Sequence, residues 1–168
     1  MERHDVLIVG AGPTGLVLAL WLVKQGVKVG IIDKNTGPGA TSRAMGVQAR
    51  TLELYRQLDI ADEVVAAGQK NPAINLWVKG RQKARVSFGS AGARLTPYPF
   101  LLIYPQDRHE QLLVRHLERM GVTVQRQTEL LDFREQDDCV SVTTRNAQGL
   151  EQVCEARFLA ACDGASSP

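Results

Sequence analysis

The hexapeptide GAGPTG, residues 10–15, places three glycines in the spacing G-x-G-x-x-G, and Asp33 follows eighteen positions after the last of them. Each glycine has its own task in such a turn. Gly10 permits the tight reversal, Gly12 lets a pyrophosphate come up against bare backbone, and Gly15 lets the following helix close onto the strands. A helix that begins inside the turn adds N–H groups and the positive end of its dipole. Asp33 stands near the place of an acid that accepts hydrogen bonds from an adenosine ribose, and its charge disfavours a 2′-phosphate. These residues predict adenine dinucleotide binding, with Pro13, Thr14 and Lys34 in the contact set, and by themselves do not choose between FAD and NAD.

The elements around the turn fit that reading. Residues 6–9 are a short β-branched run, as in a strand buried on both faces. Residues 13–25 are rich in helix formers and meet Gly26 as a stop, and residues 27–33 read as a second buried strand. Strand, helix and strand in about thirty residues make a βαβ unit, whose crossover sets the strands parallel. A glycine-rich loop follows over residues 34–46, then two helical pieces in which Leu54, Tyr55 and Leu58 share a face. INLWV and ARVSF predict a hairpin over residues 74–88 with the charges of KGRQK on its turn, and GSAGARLTPYP reads as a flexible connector.

FLLIY is a further buried strand, and a helix follows in which Asp107 and Glu110 have capping-box spacing and Leu113, Leu117 and Met120 continue the buried face. VTVQ predicts a short strand, residues 129–158 a three-stranded antiparallel meander, and FLAACDG a last buried strand. The fold class is therefore α/β: a Rossmann-like, mainly parallel sheet with a β-meander.

Composition narrows the partners. A net charge of +2 gives no field that would draw nucleic acid or a membrane surface, and 5% aromatic residues leave little for base stacking. Gly10, Gly12, Pro13 and Gly15 interrupt the opening apolar run, so it is neither signal peptide nor membrane span, and a cytoplasmic protein is expected. Cys139, Cys154 and Cys162 lack metal-ligand spacing and read as free thiols, and no metal site is expected. His4, His109 and His116 have no catalytic partner at a telling spacing and read as surface or core-edge residues, so no catalytic side chain is assigned.

The order of GPGATSRAMGVQARTLELYRQLDI, PQDRHEQLL and FLAACDGASS resembles the FAD-binding part of the aromatic-ring hydroxylases, flavoprotein monooxygenases similar to p-hydroxybenzoate and phenol hydroxylases. The resemblance implies that Arg43 contacts the FAD diphosphate region, Gly46 lies near the flavin ring, and Gln106 touches FAD. It implies that Asp163 and Gly164 form the family's D-G motif, linked to FAD and to the pyrophosphate of the nicotinamide cofactor. The family's arginine after D-G-A is Ser166 here, so the nicotinamide contact lacks its usual residue.

The activity implied is hydroxylation of an electron-rich, phenolic ring with O2, NAD(P)H serving as transient reductant of FAD. The flavin carries that chemistry while the protein positions it. Family members continue beyond the D-G motif with most of the substrate sheet. One incomplete FAD-binding domain over residues 1–168 is expected, an N-terminal fragment whose hairpin at residues 74–88 belongs to that sheet. An NAD-dependent dehydrogenase, a non-catalytic FAD-binding module and a homo-oligomer stay open on the sequence.

Overall fold

The computed structural model describes residues 3–39 and 46–164. In chain order the elements open with β1 (Arg3–Val9), α1 (Pro13–Lys24), β2 (Val29–Asp33), β3 (Gly46–Val47), α2 (Ala49–Gln57) and α3 (Ala61–Ala67). They continue with β4 (Gln69–Asn71), β5 (Ala73–Val78), β6 (Arg81–Ser87), α4 (Phe88–Gly92), β7 (Leu101–Ile103) and α5 (Gln106–Arg119). The last four are β8 (Gln125–Arg126), β9 (Glu129–Glu135), β10 (Val140–Arg145) and β11 (Glu151–Ala161). Two units divide the chain, one of Met1–Ala40 with Glu110–Pro168 and one of Thr41–His109.

The first unit holds a six-stranded sheet in the order β8-β2-β1-β11-β10-β9. β2 is buried at all five positions, as expected of VGIID with a parallel neighbour on each edge. The predicted βαβ unit is present: β1 and β2 run parallel, Val6 opposite Val29 and Val9 opposite Ile32. In α1 the buried Leu16, Ala19 and Leu20 recur at helical spacing, and each leucine contributes roughly 1.5–3 kcal/mol by leaving water. A cluster of Leu7, Val9, Ile32, Val142 and Ala156 joins β1 and β2 to β10 and β11.

Several elements differ from their sequence reading. The third meander strand and the last buried strand are one, β11, whose residues 151–156 pair antiparallel with β10 while residues 155–161 pair parallel with β1. A strand has two edges, and each is used here over a different length. The capping box is not formed: α5 begins at Gln106, so Asp107 lies inside its first turn. Glu110, buried, accepts instead from the Gly39 N–H at 3.4 Å. Leu112, Leu113 and Leu117 form the buried face of α5, while Met120, just past its end, is 40% exposed.

In the second unit β3, β7 and β4 form an antiparallel sheet in the order β3-β7-β4. Leu52 and Tyr55 are the buried residues of α2, with Leu54 and Leu58 half-buried beside them. A short helix, α4, begins at Phe88, the expected last residue of the hairpin, and runs into the expected flexible connector. β5 and β6 pair as the expected hairpin, but its turn is only Lys79 and Gly80, at φ 49 and 72. Left-handed backbone at both positions suits a two-residue hairpin turn, so Arg81 and Lys83 lie in the strand. The hairpin is its own two-stranded sheet, with Leu76, Trp77 and Val86 more than half exposed. Among the described residues, no helix is long and apolar enough to cross a membrane.

Candidate functional site

Strand register builds the site. The ladder runs past the carboxyl end of β1 on both of its edges: on the β2 side the Gly10 N–H donates to the Ile32 carbonyl at 2.8 Å. On the other side the Cys162 N–H donates to the Val9 carbonyl at 2.7 Å. Gly10, Asp33 and Asp163 are thereby gathered beyond the carboxyl ends of three parallel strands. β1 has β2, reached through α1, on one edge and β11 on the other. That is a switch point of an open α/β sheet, where such sheets hold ligands.

The three glycines of the turn differ in what surrounds them. Gly10 has φ 104, and a Cβ there would lie 2.5 Å from the Cys162 carbonyl oxygen and 2.6 Å from the Asp163 nitrogen, so the end of β11 closes directly on it. A Cβ on Gly15 would overlap the Gly10 carbonyl oxygen, so only glycine lets α1 start this close to β1. At Gly12 a Cβ would meet nothing within 4 Å. Gly12 is also the N-cap of α1, with no side chain capping the helix and with Pro13 at its first position. Open space beside an uncapped helix start is room for an anion against backbone, which fits a dinucleotide pyrophosphate.

Asp33 is 8% exposed, and its carboxylate is held from two sides. The Ala11 N–H donates to Oδ2 at 2.7 Å, tying the glycine turn to β2, and the Asn35 N–H donates to Oδ1 at 2.8 Å. The Asn35 side-chain amide also donates to Oδ1, at 3.0 Å, and Arg126 Nη1 lies 3.6 Å from Oδ2. A crevice of about 370 Å³ opens here, lined by Gly10, Asp33, Lys34, Asn35 and Asp163, with residues 128–131 along one wall. That wall is pinned to the end of β2 by the Thr128 N–H, which donates to the Asp33 carbonyl at 3.0 Å. A larger hollow of about 760 Å³ runs along β9 to β11 past Phe133 and Phe158, and shares Leu130, Leu131 and Asp163 with the crevice.

Gly10, Gly12, Pro13, Thr14, Gly15, Asp33, Lys34, Asp163 and Gly164 all belong to the first unit. Gly46 and Gln106 belong to the second, where Gly46 pairs with Ile103 of β7 and Gln106 opens α5 three residues beyond Ile103. Arg43 and Ser166 lie outside the described residues. Three parts of the site carried no motif: Asn35, Arg126 and the wall at residues 128–131. Asp-x-Asn spacing at a strand end could have suggested an Asx turn at Asn35. Nothing local marks Arg126, which reaches Asp33 because β8 pairs with β2.

Two histidines are more deeply placed than surface or core-edge positions. His4 is 7% exposed, with its ring over Gly30, where a Cβ would come within 2.8 Å of it. His109, 6% exposed, has Nε2 2.9 Å from the Tyr55 hydroxyl and its ring 5.3 Å from that of Tyr104. Burial lowers the His109 pKa to about 4 and raises that of Tyr55. The native state therefore holds His109 neutral, whereas an unfolded chain protonates it near pH 6.5. Its contribution to stability is complete above pH 6.5 and is lost as the pH falls toward 4, on the order of 3 kcal/mol. Urea unfolding at pH 7 and pH 4 should show a drop that His109→Gln reduces by that order; an undiminished drop would assign it to other groups. Cys139, Cys154 and Cys162 are free thiols, and burial together with Asp163 raises the pKa of Cys162.

Residues 3–168 match the FAD binding domain family. The chain is 40% identical over 167 residues to 6-methylpretetramide 4-monooxygenase of Streptomyces rimosus, which covers 99% of this chain and 29% of that enzyme. It is 34% identical to rifampicin monooxygenase of Rhodococcus hoagii, over 97% of this chain and 32% of that one. Among solved structures, p-nitrophenol 4-monooxygenase of Pseudomonas putida superposes with a TM-score of 0.93 at 27% identity, covering 99% of this chain and 42% of that one. A ternary complex of aklavinone-11 hydroxylase with FAD and aklavinone gives a TM-score of 0.83 at 33% identity, over 95% of this chain and 33% of that one. The chain thus spans 29–42% of the length of these relatives.

Proposed function

The chain belongs to the FAD binding domain family of the flavin-dependent monooxygenases, and from that premise we propose that its β1–α1 turn and Asp33 hold the adenosine diphosphate half of FAD. The observation that carries this reading is the open, uncapped start of α1 at Gly12, in the same turn that the buried Asp33 carboxylate ties to β2 through Ala11. In this reading the pyrophosphate lies against Gly12, Pro13 and Thr14, and Asp33 accepts from the ribose. Lys34 and Arg43 contribute positive charge, Asp163 closes the crevice just past the end of β11, and Gly164 lets the chain turn beside it. Gly46 and Gln106 serve the flavin end.

Bound FAD supplies the redox and oxygen-transfer chemistry. The side chains of this chain bind the cofactor, orient it and keep water from it, and none of them has to act as a nucleophile. The whole protein is a monooxygenase in this reading, with NAD(P)H as reductant and an aromatic compound as substrate. Two observations support an aromatic substrate. Solved relatives act on p-nitrophenol and bind aklavinone. The second unit also holds a hollow of about 600 Å³ lined by Ile74, Val86, Phe88, Tyr98 and Phe100 among others. The β5–β6 hairpin, whose apolar Ile74 and Val86 reach that hollow, is on this reading part of a substrate-binding sheet.

Titrating the 168-residue chain with FAD, followed by flavin fluorescence, tests the cofactor assignment. Saturable binding is expected, and Asp33→Ala should weaken it by about ten- to a hundredfold, the range for a hydrogen bond to a charged group. Asp33→Asn keeps an acceptor and should lose less. Absence of saturation in the wild-type chain, or unchanged affinity in Asp33→Ala, would remove the assignment.

A further inference from the structure

The surroundings of Asp33 hold more than a ribose acceptor needs. A carboxylate offers about four acceptor positions, two on each oxygen. Backbone donors take one position on each: Ala11 N–H on Oδ2 at 2.7 Å and Asn35 N–H on Oδ1 at 2.8 Å. The second position on Oδ1 is taken by Asn35 Nδ2 at 3.0 Å, while Arg126 Nη1 pairs with Oδ2 by charge alone, at 3.6 Å and outside hydrogen-bond reach. A sugar hydroxyl can donate to Oδ1 only where a present donor gives way.

The two side chains approach from different places. Asn35 is exposed and lines the crevice with Gly10, Asp33 and Lys34. Arg126 is half-buried and lines a separate hollow with Pro38, Gln111, Val114 and Arg115. A sugar entering the crevice therefore meets the asparagine amide and not the guanidinium. We propose that the Asn35 carboxamide stands in for a ribose hydroxyl on Asp33 Oδ1 and must swing aside before adenosine ribose is bound. This rests on the reading of Asp33 as the ribose acceptor.

The exchange costs little in geometry. The exposed amide can turn to water, and the Asn35 backbone N–H stays on Oδ1, so the carboxylate keeps its orientation while one position opens. Asn35 is then a determinant of cofactor affinity that acts by competition, opposite in sign to an ordinary contact residue. Removing its amide should tighten binding of any ligand that presents a ribose hydroxyl. It should leave a ligand without that hydroxyl unaffected.

The test uses ADP and 2′,3′-dideoxy-ADP as probes, with dissociation constants measured by calorimetry on the 168-residue chain and its Asn35→Ala variant. ADP is expected to bind the variant about three- to tenfold more tightly, the scale of one exchanged hydrogen bond, while the dideoxy probe is unchanged. Equal tightening of both probes, no change for ADP, or weaker ADP binding would overturn the stand-in. If the wild-type chain distinguishes the probes and Asn35→Ala does not widen the difference, the stand-in alone is wrong. If neither protein distinguishes them, the assignment of Asp33 to ribose fails and takes this inference with it.

Discussion

Gly12→Val should leave the fold intact and abolish measurable FAD binding, a loss of at least about a hundredfold in affinity. Room and backbone angle both permit the side chain. A Cβ at this position meets no atom within 4 Å, and the residue's φ of -77 is open to any amino acid. The cost to folding is confined to the change of N-cap from glycine to valine, within about 1 kcal/mol. The same open space is where the proposed pyrophosphate must lie, and a valine there would occupy it. Two or more charge-assisted hydrogen bonds to backbone N–H groups would be lost, each worth about 1.5–3 kcal/mol. Urea unfolding and an FAD titration on the same preparation would check both halves. A Gly12→Val protein that binds FAD like the wild type would show that the phosphates lie elsewhere.

Gly15→Ala has the opposite expected signature. Its single added carbon would overlap the Gly10 carbonyl oxygen and come within 3.2 Å of Ile8 Cγ2. The first of these is backbone, so no rotamer change relieves it. Either α1 moves away from β1, loosening the burial of Leu16, Ala19 and Leu20, or the glycine turn opens and loses the Ala11 bond to Asp33. Alanine's better helix propensity returns about 1 kcal/mol. Overpacking against fixed backbone exceeds it, and a net destabilisation of about 3 kcal/mol is expected. The urea midpoint measures this directly, and a Gly15→Ala chain as stable as wild type would mean that the turn yields easily. Residues three apart in one motif would thus fail differently, one in the ligand and the other in the fold.

Much of the site could be read before any coordinates. GAGPTG between a β-branched run and a run of helix formers sufficed for the first strand, the helix and the tight turn between them, because those choices depend on neighbours a few residues away. Asp33 at the end of the next strand followed from the same local pattern. The hairpin is legible from alternation, but its turn is shorter than the charged run KGRQK suggests, because Arg81 and Lys83 belong to the strand. They extend to solvent from an exposed strand. The capping box failed for a related reason: Glu110 has the right spacing, but the tertiary fold gives its carboxylate the Gly39 N–H as a partner.

The sequence by itself determined the opening strand, helix and strand, the glycine turn and the acid beside it, since propensity and glycine sterics act over short distances. Only the tertiary structure decided that β11 lies against β1, so that Gly10 is closed by Cys162 and Asp163 from the far end of the chain. It also decided that Arg126 faces Asp33, and that His109 is buried beside Tyr55. Those pairings join residues with no shared local pattern. They are set by which strand edges and which apolar faces remain to be covered once the local elements exist.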